Sequence, residues 1–487
     1  MASLYLESCS ASAWAPSSSA ACLLLPFGEA LRGFAGSVVD VMRSVAWMVN
    51  YVFAAVGIVF SVLGYAALIP NSVIAFAALA VAFVLCAHFS RNRLLFLVGI
   101  VLLYLTYSVV VVNYAFPLTT TTYTTYRGTV EAGTALSSLL LFLSCVLFFS
   151  PSKVDRFGKG SELLGNPTWN SPFVVVLCIV LALILVFGFS RPDAVGGDRG
   201  SPSAMYEYSM IFFLLGFYFS GDRRGLRLTL CILLGLFALQ NIIYGGRVTA
   251  LQLLLIFFFA CMSKKVSFGQ FMALVVFGLL LFTFLGSVRT GLVSAGMDDV
   301  GGALSESLSR GFAWDTAYSS WHTSITFMLY GDLIPPSEHL ALFWQWVQSL
   351  LFGGSVPMSN LAMITQPYFW HQFGGVLPVF FQFYLGPLGV VLIAVYVSAI
   401  IRLVNSVCAG LREDTGGVLA PTLRICAVYV SVSCFRWILY SPSQITRGLL
   451  LCFLCSVALI WFDRQMMIRS SRRRVVRGMY GGKSPHV

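Results

Sequence analysis

The chain has 487 residues, 58% of them hydrophobic and only 10% charged, with a formal net charge of +11 and a mean hydropathy of +0.86. This composition excludes an ordinary soluble domain. Repeated apolar runs long enough for a bilayer core of roughly 30 Å mark an all-α, polytopic integral membrane protein. Nucleic acid is excluded as the partner of the positive charge, because most basic residues lie in short loops between apolar runs, where membrane orientation accounts for them.

Residues 1–45 are rich in Ser and Ala and only patchily apolar. The run "AACLLLPFGEA" is short and has no basic flank before it, so it does not read as a cleaved signal peptide. "LRGFAGSVVDVMRSV" has the pattern of an interfacial amphipathic helix. Nine spans are then expected within 46–287, at 46–68, 72–90, 93–115, 131–150, 171–190, 204–220, 226–244, 248–263 and 266–287. A long loop follows at 288–375, then spans at 376–401, 419–439 and 446–463, for twelve in all, and a basic tail at 464–487. The twelve cysteines lie mostly inside apolar runs and read as small buried apolar side chains.

With both termini cytoplasmic, 22 of the 30 basic residues fall on the cytoplasmic side, and the alternation holds at every loop. The tail "RSSRRRVVRGMYGGK" then needs only topology and contact with anionic membrane lipid. All five lysines lie inside, so the eight basic residues left outside are all arginines: Arg127, Arg191, Arg199, Arg247, Arg289, Arg310, Arg436 and Arg447. Several stand at the very ends of spans, where an uncompensated charge is expensive and a partner is expected. The planar guanidinium fork suits bidentate contact with phosphate or carboxylate, and lysine replaces it poorly. The four span-end arginines Arg247, Arg289, Arg436 and Arg447 therefore read as an anion site at the outer surface. Arg247 stands in the short turn "NIIYGGRVTALQ"; Arg436 and Arg447 flank "WILYSPSQIT". Glu207, in "SAMYEYSM", is an outer-half carboxylate that either pairs with one of these arginines or serves as a base.

A structureless loop as long as 288–375 would be unusual, and a folded cap on the outer face is expected. Two amphipathic helices are read in it, at roughly 303–329 and at 337–351, with Pro335, Pro336 and Ser337 making the start of the second. The loop holds Trp314, Trp321, Trp344, Trp346 and Trp370. These serve either as an interfacial aromatic belt or as stacking platforms for sugar rings. His322, His339, His371 and Asp315 are the loop's candidate bases, and His371, just before a span, is the best placed. There is no nucleotide-binding loop, zinc motif or nucleophile elbow. An enzyme built this way would use no cofactor, neither nucleotide nor obligatory metal, and would activate its leaving group by arginine electrostatics.

The ordered segments "GGRVTALQLLLIFF", "LGSVRTG", "SRGFAWDTAYSSW", "HQFGGVLPVFFQFYLGPLGVVLIAVYVSAI" and "FRWILYSPSQITRG" resemble the Wzy family of oligosaccharide repeat-unit (O-antigen) polymerases, especially the enterobacterial-common-antigen branch. The resemblance covers about half the chain, over 241–450. It implies a GT-C-like membrane glycosyltransferase in the bacterial inner membrane, with 288–375 periplasmic. Such enzymes join undecaprenyl-diphosphate-linked oligosaccharides at the outer leaflet in surface-polysaccharide synthesis, in some cases with a chain-length regulator protein as partner. By the resemblance, Arg247, Arg289, Arg436 and Arg447 bind the diphosphates. His371 is the first candidate for general base on the acceptor hydroxyl, with Asp315 and Glu207 behind it. Arg310, Trp314 and Trp370 hold the loop or the glycan.

Two alternatives stay open. O-antigen ligases share the topology and a catalytic His near the end of an external loop, but their Gly-x-x-Gly-Thr-Thr run is missing here, where "LGPLGVVL" follows His371. A lipid-linked oligosaccharide flippase or other transporter would show mid-span charges, broken helices and pseudo-symmetric halves. The charges here gather on one face, and no internal repeat is evident.

Overall fold

The computed structural model describes residues 47–115, 126, 128–155, 164, 171–190, 201–221, 223–243, 246–263, 265–278, 280–281, 316–353, 356–371, 374–410 and 417–480. The chain forms two compact units, Met1–Val52 and Phe53–Val487. The described residues of the first are 47–52, the opening turns of α1.

The described structure is helical apart from a two-residue antiparallel pair, β1 (Phe189–Ser190) with β2 (Ser201–Pro202). Seven helices are long and apolar enough to cross a membrane. They are α1 (Trp47–Tyr65), α2 (Asn71–Phe89), α3 (Arg93–Val110, running on as a π-helical turn to Ala115), α4 (Val130–Phe149), α8 (Arg224–Ile243), α14 (Leu377–Ala409) and α17 (Ser443–Tyr480). Five shorter apolar helices occupy the other expected positions: α5 (Phe173–Phe187), α7 (Ser209–Ser220), α9 (Arg247–Phe257, continuing as a π turn to Met262), α10 (Phe268–Gly278) and α15 (Leu419–Val432). The remaining helices are α6 (Ala204–Glu207), α11 (Thr316–Gly331), α12 (Pro336–Phe352), α13 (Leu361–Thr365) and α16 (Cys434–Leu439). This is the helical membrane protein that the composition requires.

Local chemistry sets the helix ends. The buried Asn92 side chain accepts from the Leu94 and Leu95 amides and starts α3, and Thr129 does the same for α4 through Ala132. α12 begins at Pro336, as the double proline predicts, and stops at Gly353 with φ +72°. α14 is broken at Gly386 (φ 64°, ψ −156°), just before Pro387, which supplies no amide hydrogen. α3 and α4 form the buried centre; α2 packs on both, and α14 packs on α4.

Several basic side chains serve backbone carbonyls. Arg93, 1% exposed, donates to Ser263 O and Val266 O at 2.6 Å each. Arg227 donates to Gly221 O and Ala260 O, Arg402 to Phe149 O, and Arg464 to Gly417 O. Phe149 ends α4 and Gly221 follows the end of α7, and helix C-termini present unsatisfied carbonyls and partial negative charge, so a cation belongs at each. Free thiols account for every described cysteine, including Cys452 and Cys455 at Cys-x-x-Cys spacing on α17.

Two expectations are corrected. The spans expected at 204–220 and 419–439 are each two helices, broken at Tyr208 (φ −88°, ψ 3°) and Ser433 (φ −87°, ψ 0°). The basic tail from 464 is helical as far as Tyr480, in keeping with the lack of Gly and Pro between Gly448 and Gly478. The expected surface cap is, over α11, a buried helix packed against α3, α4, α14 and α16. Its Tyr318 hydroxyl donates to Asn113 Oδ1 at 2.7 Å, on the π turn of α3.

Candidate functional site

Both helix breaks place a charged side chain. Glu207 ends α6 and Arg436 lies in α16, three residues past the break at Ser433. Arg436 Nη1 donates to Glu207 Oε1 at 2.6 Å, and Nη2 donates to Thr249 Oγ1 at 2.9 Å. Three elements far apart in sequence thus meet on one guanidinium. The Trp437 indole donates to Val430 O at 3.0 Å, satisfying a carbonyl that the break deprives of its regular partner. On the other side, the Tyr206 hydroxyl donates to Gln240 Oε1 and accepts from Asn241 Nδ2, which fixes α6 to α8.

Asn241 also explains the glycine before Arg247. Gly246 N donates to Asn241 O, and a Cβ at 246 would overlap the Asn241 amide. The turn therefore brings α9 in close, with Arg247 as its first residue and Thr249 two residues on. A cation at a helix N-terminus opposes the helix dipole, so helix stability does not account for Arg247.

Arg447, near the start of α17, stands over the Tyr208 ring at 5.6 Å and faces Gly353, where a Cβ would come 3.0 Å from its Nη2. Among the described residues Arg447 has no acidic partner. Tyr429 lies beneath: it is fully buried, and a Cβ on Gly448 would overlap its hydroxyl. Gln252, one turn past Thr249, is also fully buried, and its amide has no hydrogen-bond partner among the described residues. Thr249, Tyr208, Tyr429 and Gln252 were not singled out from the sequence. Gln252 alone carries a signal there, as a polar letter in the apolar run "VTALQLLLIFF".

His371 is 6% exposed, with Nε2 and Thr365 Oγ1 2.9 Å apart. His322 on α11 is 2% exposed and close enough to His371 for the two charges to repel. Its ring lies 5.5 Å from that of Tyr126. The His371 segment is tied to the arginine region: Gly375 N donates to Leu439 O, and Gly374 abuts Leu439 and Tyr440. His339 is used structurally, with Nδ1 2.6 Å from Phe383 O. Trp370 is exposed. Arg289, Arg310, Trp314 and Asp315 lie outside the described residues.

Burial pushes the His322 imidazole down to about 4, the neighbouring His371 adding to the shift, and burial lowers His371 as well. In the unfolded chain both would take up a proton near pH 6.5. Their neutral burial therefore leaves stability intact above about pH 6.5 and erodes it as pH falls toward about 4, by an amount on the order of 3 kcal/mol for His322. Thermal unfolding of the detergent-solubilised protein should show this acid limb, and His322→Gln should flatten it. A limb of unchanged steepness in that variant would assign the loss to other groups.

No protein-family model, curated protein or solved structure matches the chain.

Proposed function

We propose that the chain is a polytopic inner-membrane glycosyltransferase of the repeat-unit polymerase kind. In this reading it joins oligosaccharides carried on undecaprenyl diphosphate at the outer leaflet, without nucleotide or obligatory metal. All twelve apolar segments cross the bilayer and both termini are cytoplasmic, with a chain-length regulator as a possible protein partner. The observation that carries the reading is the Glu207–Arg436–Thr249 junction flanked by Arg447. Elsewhere Arg93, Arg227, Arg402 and Arg464 donate to backbone carbonyls, whereas here a guanidinium is held across helices by a carboxylate and a hydroxyl.

In the reaction, the acceptor hydroxyl attacks the anomeric carbon of the donor sugar. The bond from that carbon to the diphosphate oxygen breaks, and the lipid diphosphate leaves with the electron pair. Arg247, Arg436 and Arg447, with Arg289, neutralise the developing charge. Neutral His371 takes the hydroxyl proton, with Asp315 as the other candidate. Glu207 is bound to Arg436, and its role is to orient that guanidinium. Arg310 and Trp314 remain assigned to the glycan, and the exposed Trp370 is not.

The test is a gel of surface polysaccharide from cells lacking the gene. Collapse of the ladder to a single-repeat band is the expected result. Loss of every surface band with accumulation of lipid-linked glycan would replace this reading with a ligase or a flippase.

A further inference from the structure

From His339 to Ile401 the sequence contains no Asp, Glu, Lys or Arg. Only the part from Leu377 onward belongs to a candidate span. The preceding stretch, read from sequence as part of a folded cap on the outer face, is therefore as free of formal charge as the span that follows it.

The structure shows what this stretch presents outward. α12 buries Leu342, Trp346 and Ser349. Trp346 packs edge-on against Phe381 at 5.3 Å, and Phe343 lies 5.7 Å from Tyr384, so this face is seated on α14. The opposite face carries Leu340, Ala341, Trp344, Leu351 and Phe352, all exposed. Trp344 is 61%, Leu351 71% and Phe352 69% exposed. The next turns add Met363, Tyr368 and Trp370 at 62%, 62% and 59%. A helix bathed in water turns a polar face outward; this one is apolar on both sides.

We propose that α12 and the segment through Trp370 lie in the membrane, as a re-entrant element on the lipid side of the bundle whose outer face is covered by the acyl chains and headgroup boundary of one leaflet. Two further observations fix lipid as the occupant. First, α12 packs on both α14 and α17, which expose Leu388 and Leu392, and Leu450 and Leu454. In a helical membrane protein such span surfaces face hydrocarbon, and the uncovered face of α12 continues them. Second, the exposed set is edged by Trp344, Tyr368 and Trp370, whose amphipathic rings favour the headgroup level. Asp332 and Glu338, just before this stretch, mark where the chain returns to water. Backbone groups of α12 are met within the helix, and beyond α13 the Tyr368 and Phe369 amides donate to Thr365 O, as an apolar surrounding demands. The inference holds whatever reaction the protein performs.

The test uses the full-length protein, one copy per phospholipid nanodisc. The emission of Trp344 is isolated as the difference between the native protein and Trp344→Phe, a conservative change at an exposed position. Phosphatidylcholine brominated near the top of its acyl chains should remove most of that difference emission, and aqueous acrylamide should leave it largely intact. Trp370→Phe supplies a second, independent position with the same expectation. Quenching by acrylamide and not by brominated lipid would place the face in water and overturn the proposal. Quenching by neither would mean that the protein itself covers the face, and would overturn it equally.

Discussion

Replacing Arg436 by lysine should leave the protein folded and lower repeat-unit joining by about 10²-fold or more, close to the loss from Arg436→Ala. The guanidinium uses Nη1 on Glu207 and Nη2 on Thr249 at once, and a single ammonium on a flexible stem cannot hold that geometry. Some destabilisation accompanies the change. The pair is only partly buried, with side-chain exposures of 18% and 30%, so the stability loss should stay below the roughly 3–5 kcal/mol of a fully buried pair. Polysaccharide ladders from complemented cells give the activity, and thermal unfolding of the same variants gives the stability. A double-mutant cycle with Glu207→Gln should show strong coupling in activity, because each residue positions the other. Full ladders from the lysine variant would remove the bidentate argument and, with it, the main support for the anion site.

Arg93→Met should behave in the opposite way, with folded protein lost and no specific defect in whatever enzyme survives. This guanidinium lies over the Phe271 ring at 5.9 Å and donates to two carbonyls, Ser263 O and Val266 O. Removing it strands both acceptors in an apolar interior, at about 1–3 kcal/mol each. Thermal unfolding should record a large drop in midpoint and membrane blots a low abundance, while activity per folded molecule stays near normal. A stable, inactive Arg93→Met protein would move Arg93 into the functional machinery. The two substitutions together separate arginines that hold the bundle from those that hold a ligand.

Hydropathy made the positions of the apolar segments legible, since every expected segment holds a helix. Proline chemistry made the start of α12 legible. The pairing of Glu207 with an arginine followed from the expense of an isolated intramembrane carboxylate. The breaks at Tyr208 and Ser433 were not legible, since "MYEYSM" and "SVSCFRW" contain neither Gly nor Pro. The contacts that accompany those breaks are made by side chains, Trp437 on Val430 O across one break and Arg436 on the distant Glu207 and Thr249. The burial of α11 was hidden for another reason. Its hydroxyls return to their own helix, Thr323 to Ser319 O, Ser324 to Ser320 O and Thr326 to Thr323 O, so side chains that look polar in sequence demand few outside partners. Ser324 also accepts from Val376 N at 2.7 Å and locks the start of α14.

Under the proposed function, the carboxylate of Glu207 bears on turnover as well as on geometry. When a glycosyl bond to a lipid diphosphate breaks, a neutral ester oxygen becomes a terminal, ionisable one, so the departing carrier is more anionic than the donor that arrived. A purely cationic cradle would grip that product harder than its substrate and stall after one round. With Glu207 offsetting Arg436, the net attraction falls to Arg247, Arg289 and Arg447, and the carrier can diffuse away. The same carboxylate that aims the guanidinium would then keep the enzyme from being poisoned by its own leaving group.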